Sequence, residues 1–136
     1  MTALWLWASC TMETSHNGDL DGFWQLSAID SLANGRSCDM RDSAYFWAVQ
    51  GHLLELSNKR QKIPTIYCRF ELTGGFLVLS DPVYSVRLIG DSLITNAAML
   101  RPYRLTRLKD SLRVLRLDSE RMTLESEVAR LYFRKY

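Results

Sequence analysis

Residues 63–80 read IPTIYCRFELTGGFLVLS. Ile66, Cys68, Phe70 and Leu72 alternate with Tyr67, Arg69 and Glu71, the period of two that gives a β-strand one apolar and one polar face. Thr73-Gly74-Gly75 follows, and paired glycines supply the positive φ that a tight hairpin turn demands. FLVLS then carries the chain back. The stretch is therefore two antiparallel strands joined by a short turn.

The same pattern continues in both directions. Residues 22–32 (GFWQLSAIDSL) read as a first strand with Trp24, Leu26 and Ala28 on one face, and residues 44–57 (AYFWAVQGHLLELS) as one long second strand, ended by a polar turn at 58–62. Asp81-Pro82 is expected to end the fourth strand, because proline has no N–H to give to a ladder, and YSVRLIG (84–90) makes a fifth. Residues 91–110 read as a long connection, in which Asn96 caps a turn of helix through Met99 and Pro102 stops it. Three strands close the chain at 111–117, 121–127 and 129–136. In the last, Ala129, Leu131 and Phe133 oppose Arg130, Tyr132 and Arg134. Eight antiparallel strands in chain order, the last free to pair with the first, predict an all-β, up-and-down barrel, a closure that leaves no open edge.

With 136 residues the chain has room for one core. Its 17 basic and 15 acidic residues are interleaved, so no single-sign field exists to attract a phosphate backbone, and nucleic acid is not an expected partner. Only His16 and His52 are available as imidazole ligands, so neither a metal nor a cofactor is expected. No Gly-x-Ser-x-Gly elbow, P-loop or HExxH helix occurs, and Asp19 with Asp21, or Glu125 with Glu127, read as solvated pairs. The chain is not expected to be an enzyme; a barrel using His52 for isomerase or hydrolase chemistry is the weakest of the readings.

At the N-terminus, residues 3–8 (ALWLWA) are apolar, Ser9-Cys10 follows, and the chain turns polar at once. This resembles a bacterial lipobox, which implies cleavage before Cys10, a diacylglyceryl group on its thiol and an outer-membrane lipoprotein facing the periplasm or the cell surface. Two acyl chains hold a protein firmly, at ~0.8 kcal/mol per buried methylene. The apolar core is short and no Lys or Arg precedes it, so the expected start lies upstream of Met1. The alternative is a first strand or frayed terminus with a buried free cysteine. Residues 11–18 lack an apolar period and read as a tether. Residues 1–18 are thus a partial signal and tether, and 19–136 the barrel.

The opening LDGFWQL (20–26) resembles the Gly-x-Trp start of lipocalin-like (calycin-like) barrels, and the closing LDSERMTLES and ARLYFRKY resemble the last hairpin of lipocalin-like lipoproteins of Bacteroides-type gut bacteria. The resemblance implies a lipid-anchored binding protein of the cell envelope that takes a small hydrophobic ligand. In lipocalins an arginine beyond the last strands packs on the tryptophan as a cation–π lid. Arg130 and Arg134 lie in the right place, but their outward face leaves that role unassigned.

Whether the interior holds a ligand depends on side-chain volume, since eight strands enclose room for one small molecule or for packed side chains. On the second strand Glu55 marks its own face as outward, which turns Phe46, Gln50, His52 and Leu54 inward and leaves Tyr45 and Trp47 as an outer aromatic strip. Gly51 offers an alternative, a bulge that flips the register, and the preferred reading of His52 by itself leaves it in water at the barrel mouth. The expected ligand contacts are Trp24, Phe46, Gln50, His52, Leu54 and Phe70. A filled barrel would instead point to an interaction or inhibitor module with an envelope protein as partner. With Cys10 lipidated, Cys38 and Cys68 form an even pair, able to bridge the first loop to strand three, although Cys68 also reads as a small core residue.

Overall fold

The computed structural model describes residues 17–60, 63–86 and 90–136, with the side chains of 85–91 left aside. Its strands are β1 (Gly22–Ser31), β2 (Ser37–Asp39), β3 (Tyr45–Gln50), β4 (Leu53–Asn58), β5 (Ile66–Thr73), β6 (Phe76–Val86), β7 (Gly90–Leu93), β8 (Asp110–Leu117), β9 (Arg121–Glu125) and β10 (Ala129–Lys135). Hydrogen bonding runs β10-β9-β8-β6-β5-β4-β3-β1, and β10 pairs back onto β1. Those eight antiparallel strands form a closed barrel. The short β2 and β7 lie off the ring, on the free upper halves of β1 and β6. The Cys10 lipobox and most of the tether lie outside the described residues.

The strand count agrees with the sequence, but through two offsetting differences. Residues 44–57 are two strands: Gln50 pairs with Leu53 across a two-residue turn, Gly51-His52. Gly51 has φ 62°, the positive value that the first position of a type II′ turn requires. Residues 76–86, in contrast, are one strand. Asp81-Pro82 does not break it, because one extra residue there, with Asp81 at φ 49°, forms a bulge that takes the proline out of the ladder. In the same way a bulge between Leu26 and Ala28 ends the simple alternation in β1, so that Ile29 and not Ala28 enters the core.

The turn at Gly51 also reverses the expected faces of β3. Trp47 lies opposite Leu56 and Val49 opposite Leu54, and all four are buried in the single core. Tyr45 and Trp47 therefore point in and form no outer strip. Phe46 points out, where Phe23 stacks on it at 4.8 Å and Tyr136 meets it edge-on at 5.1 Å. On β5 and β10 the expected faces hold: Ile66, Cys68, Leu131 and Phe133 are buried, with Phe70 packed partly against them.

One end of the barrel is shut by short turns and by a 3-10 helix, Gly18–Leu20, whose Leu20 is buried. Trp24 is wholly buried above it, and its Nε1 donates to the Leu20 carbonyl at 2.8 Å. Lys135 is the cation on this ring: its Nζ lies 4.3 Å from the Trp24 centroid and donates to the carbonyls of Asp19 and Asp21. Arg130 pairs instead with Glu125, and Arg134 with Gln25. Gly22 is needed beneath the lysine, since at φ 128° an added Cβ would lie 3.0 Å from the Lys135 side chain.

Two stability predictions follow from this floor. Gly22→Ala, strained in backbone and crowded by Lys135, should cost about 1–3 kcal/mol. Lys135→Met, which keeps the stem and loses the charge, should cost about 1–2 kcal/mol, whereas Arg130→Met, which breaks a partly exposed ion pair, should cost under ~1 kcal/mol. Urea unfolding midpoints would reveal this order, and equal losses for the two cation variants would refute a special role for Lys135.

Candidate functional site

The barrel interior is packed with side chains. Trp47 and Phe133 meet at 4.8 Å between ring centres, and Trp24, Leu54, Leu56, Leu77, Leu112, Leu124 and Leu131 around them are at most 1% exposed. Above this layer the open end is stoppered by the connection between β7 and β8. Residues 91–110 are more ordered than a plain loop. Asn96 accepts from the Ala98 N–H at 3.0 Å, capping a 3-10 helix (Ala97–Tyr103) as the sequence indicated. Pro102 does not stop that helix; the left-handed Arg104 at φ 65° does, its N–H returning to the Arg101 carbonyl. Ile94, Leu100, Tyr103 and Leu105 from this segment are each no more than 2% exposed. Tyr103 fixes it in place, donating its hydroxyl to the Pro64 carbonyl at 3.0 Å and meeting Tyr45 edge-on at 5.8 Å.

Between this helix and the loop leading into β5 lies a recess of about 220 Å³, lined by Ile63, Pro64, Ile66, Ala98, Met99, Pro102 and Tyr103. Its walls are almost entirely apolar. A recess of that size admits a short chain or a single ring, and Met99, 39% exposed at its lip, is a side chain that can adjust its shape to a guest.

The expected ligand residues are not brought together. Trp24 and Leu54 both lie within the filled core, wholly shielded from solvent. Phe46 lies on the outside of the wall. Gln50 and His52 are exposed at the shut end, because the Gly51 turn puts them at a hairpin tip and not inside the barrel. His52 thus stands in water, and with Phe70 and Glu71 it edges two open surface hollows of about 380 and 350 Å³, both outside the barrel interior. The mouth recess escaped the sequence because its residues come from three non-periodic segments; the available signal was the density of apolar residues from Ile94 to Leu105 in a supposed loop.

Cys38 and Cys68 are unpaired, the first exposed on β2 and the second buried on β5. Burial pushes the Cys68 thiol up to about 12, and burial also raises the Tyr103 phenol, with Tyr45 and Glu55 adding to the effect. Among the described residues no cluster of His, Cys, Asp or Glu is placed to hold a metal ion.

The model of the lipocalin-like domain family matches residues 4–136, and the chain belongs to that family. The barrel resembles a lipocalin-like protein from Bacteroides uniformis, with a TM-score of 0.66 and 22% identity over 88% of this chain and 100% of that one. It also resembles an uncharacterized protein from Bacteroides eggerthii, with a TM-score of 0.59 and 18% identity over 85% of this chain and 98% of that one. At such identities the likeness concerns the fold. No curated protein matches significantly. A lipocalin-like barrel is compatible with ligand binding.

The suppressed ionisation of these two groups predicts alkaline lability. An unfolded thiol ionises near its ordinary value of 9, while the buried Cys68 resists until about 12, so its contribution is complete below pH 9 and is lost as pH climbs toward 12. Tyr103 acts in the same direction. The urea midpoint of the wild type should fall across this window, and the fall should be smaller in Cys68→Ala/Tyr103→Phe; parallel declines in both proteins would refute the assignment.

Proposed function

We propose that this chain is a lipid-anchored binding protein of the cell envelope, which takes a small apolar molecule, or the apolar end of an amphiphile, in the recess at the barrel mouth. The apolar lining of that recess, from Ile63 to Tyr103, carries the reading, because an apolar concavity with one nearby hydroxyl is suited to a hydrocarbon guest and offers little to a charged one. The site is peripheral, at the open end, and the packed layer of Trp24, Trp47 and Phe133 forms its base support and not its lining. The Ser9-Cys10 lipobox supports the anchor and, with it, an outer-membrane address facing either the periplasm or the surface.

A second reading is favoured by the packed interior: a filled barrel that serves as an interaction or inhibitor module, its partner an envelope protein. The two readings separate on titration of isotopically labelled protein with octanol. Saturable amide shifts around Ile66, Met99 and Tyr103, with affinity lowered at least tenfold (about 1.4 kcal/mol) by the recess-filling Ala98→Trp, would establish the binding reading. Shifts that are diffuse, or indifferent to the substitution, would leave the interaction module. The anchor is checked by mass spectrometry of protein purified from its host membranes, where an unmodified Cys10 within the chain would reject it.

A further inference from the structure

On the outer wall, away from the mouth recess, the strands β8, β9, β10 and β1 and the β2 flap frame an open basin of about 790 Å³ to which Arg41, Arg116, Arg121 and Arg134 contribute, against Asp39 as its one acid. Two of the four arginines are neutralised locally. Arg41 pairs with Asp39 at 2.7 Å, and Arg116 with Asp118 at 2.8 Å. Both carboxyls are fully engaged and held at about 2, Asp39 mainly by the Arg41 guanidinium and Asp118 mainly by the backbone N–H groups of Glu120 and Arg121.

Arg121 and Arg134 are different. They are directly opposite each other across β9 and β10, and neither forms an ion pair among the described residues. Like charges facing each other in a sheet destabilise it, so the pair is a cost to the free protein. Arg134 is also held in place: its Nε donates at 2.7 Å to Oε1 of Gln25, a side chain only 7% exposed, whose own Nε2 donates to the Arg41 carbonyl at 3.1 Å. Anchoring through Nε leaves the two Nη groups of Arg134 free to donate elsewhere. Thr123, the next outward residue along β9, adds a hydroxyl with no partner among the described residues, and lies opposite Tyr132 and Arg116.

We infer that this basin is a binding site for a small oxyanion, a phosphate, sulfate or carboxylate group bridged by the guanidinium groups of Arg121 and Arg134. A tetrahedral or planar oxyanion satisfies both forks at once and replaces their mutual repulsion with two charge-assisted contacts. The site is independent of the mouth recess and lies on a different face of the barrel. The group can belong to a free anion or to a phospholipid headgroup, the chemistry being the same.

The probe is inorganic phosphate, titrated into the folded protein at constant ionic strength against chloride, with the Arg side-chain Nε resonances and the thermal midpoint as readouts. Saturable shifts at Arg121 and Arg134 are expected, with affinity weakened at least tenfold in Arg121→Gln and in Arg134→Gln and unchanged in Arg101→Gln, an exposed residue on the mouth helix. In phosphate-free buffer Arg121→Gln should melt at a temperature equal to or above that of the wild type, because the opposed charges are gone, while losing the stabilisation that phosphate gives. Shifts linear in phosphate, or identical in wild type and Arg121→Gln, would overturn the site. Where phosphate binds, vesicles of phosphatidylglycerol assign the source: co-sedimentation reversed by phosphate and lost in Arg121→Gln identifies a headgroup, and its absence a free anion.

Discussion

Closure of β1 against β10 is the constraint on which the rest of this molecule depends. It joins Trp24 to Lys135 and Leu26 to Phe133 in register, so the first and last strands share a ladder. The same closure puts Lys135 over the Trp24 ring and fixes why Gly22 cannot carry a side chain. Without that pairing the floor helix would lose the lysine that ties the Asp19 and Asp21 carbonyls to the last strand. Because a closed eight-stranded ring has room either for one small molecule or for packed side chains, the choice of Trp24, Trp47 and Phe133 as inward residues decides that the middle of the barrel is solid.

Among the described residues, a solid middle leaves only the periphery with concave surface. The long connections all lie at one end, and one of them has become a stopper whose inner side completes the core and whose outer side shapes an apolar recess. The wall itself does a second job. Its outward residues are spaced by strand register, so charges that are remote in sequence, such as Arg121 and Arg134, become neighbours. An apolar recess at the mouth and a cationic basin on the side are chemically opposite, and the scaffold carries both because the first is built by connections above the barrel and the second by outward residues of its wall.

The fold was readable where the alternation was clean and bounded by strong turn signals, as in Ile66 to Gly75 and Ala129 to Phe133. It was not readable where one residue carried all the information. At Gly51 a lone glycine inside an apolar run marks equally a bulge or a turn, and choosing wrongly inverted every side chain of β3, including Phe46, Gln50, Tyr45 and Trp47. At Asp81-Pro82 the local rule that proline ends a strand was overridden by a bulge, a tertiary solution that propensity does not reveal. Of the expected ligand residues, Trp24, Leu54 and Phe70 were placed correctly with respect to the core, yet none lines the mouth recess. That recess is assembled from the loop before β5 and the helix before β8, and only folding brings them together. The lysine over Trp24 was likewise not read from the sequence, although strand alternation puts Lys135 on the inward face with Leu131 and Phe133, directly opposite Trp24.

The β1–β10 ladder also sets an order of events for the growing chain. A ribosome that has made β9 has already made every other strand of the ring, but the chain still exposes the β1 edge and the β9 edge, each a row of unpaired donors and acceptors ready to join another molecule. Only the last segment, Ala129–Lys135, satisfies both at once. Folding is thus a late, all-or-nothing step governed by contacts between the two ends of the domain, a slow class of topology. In the interval before it, the open β1 and β9 edges leave the chain prone to self-association.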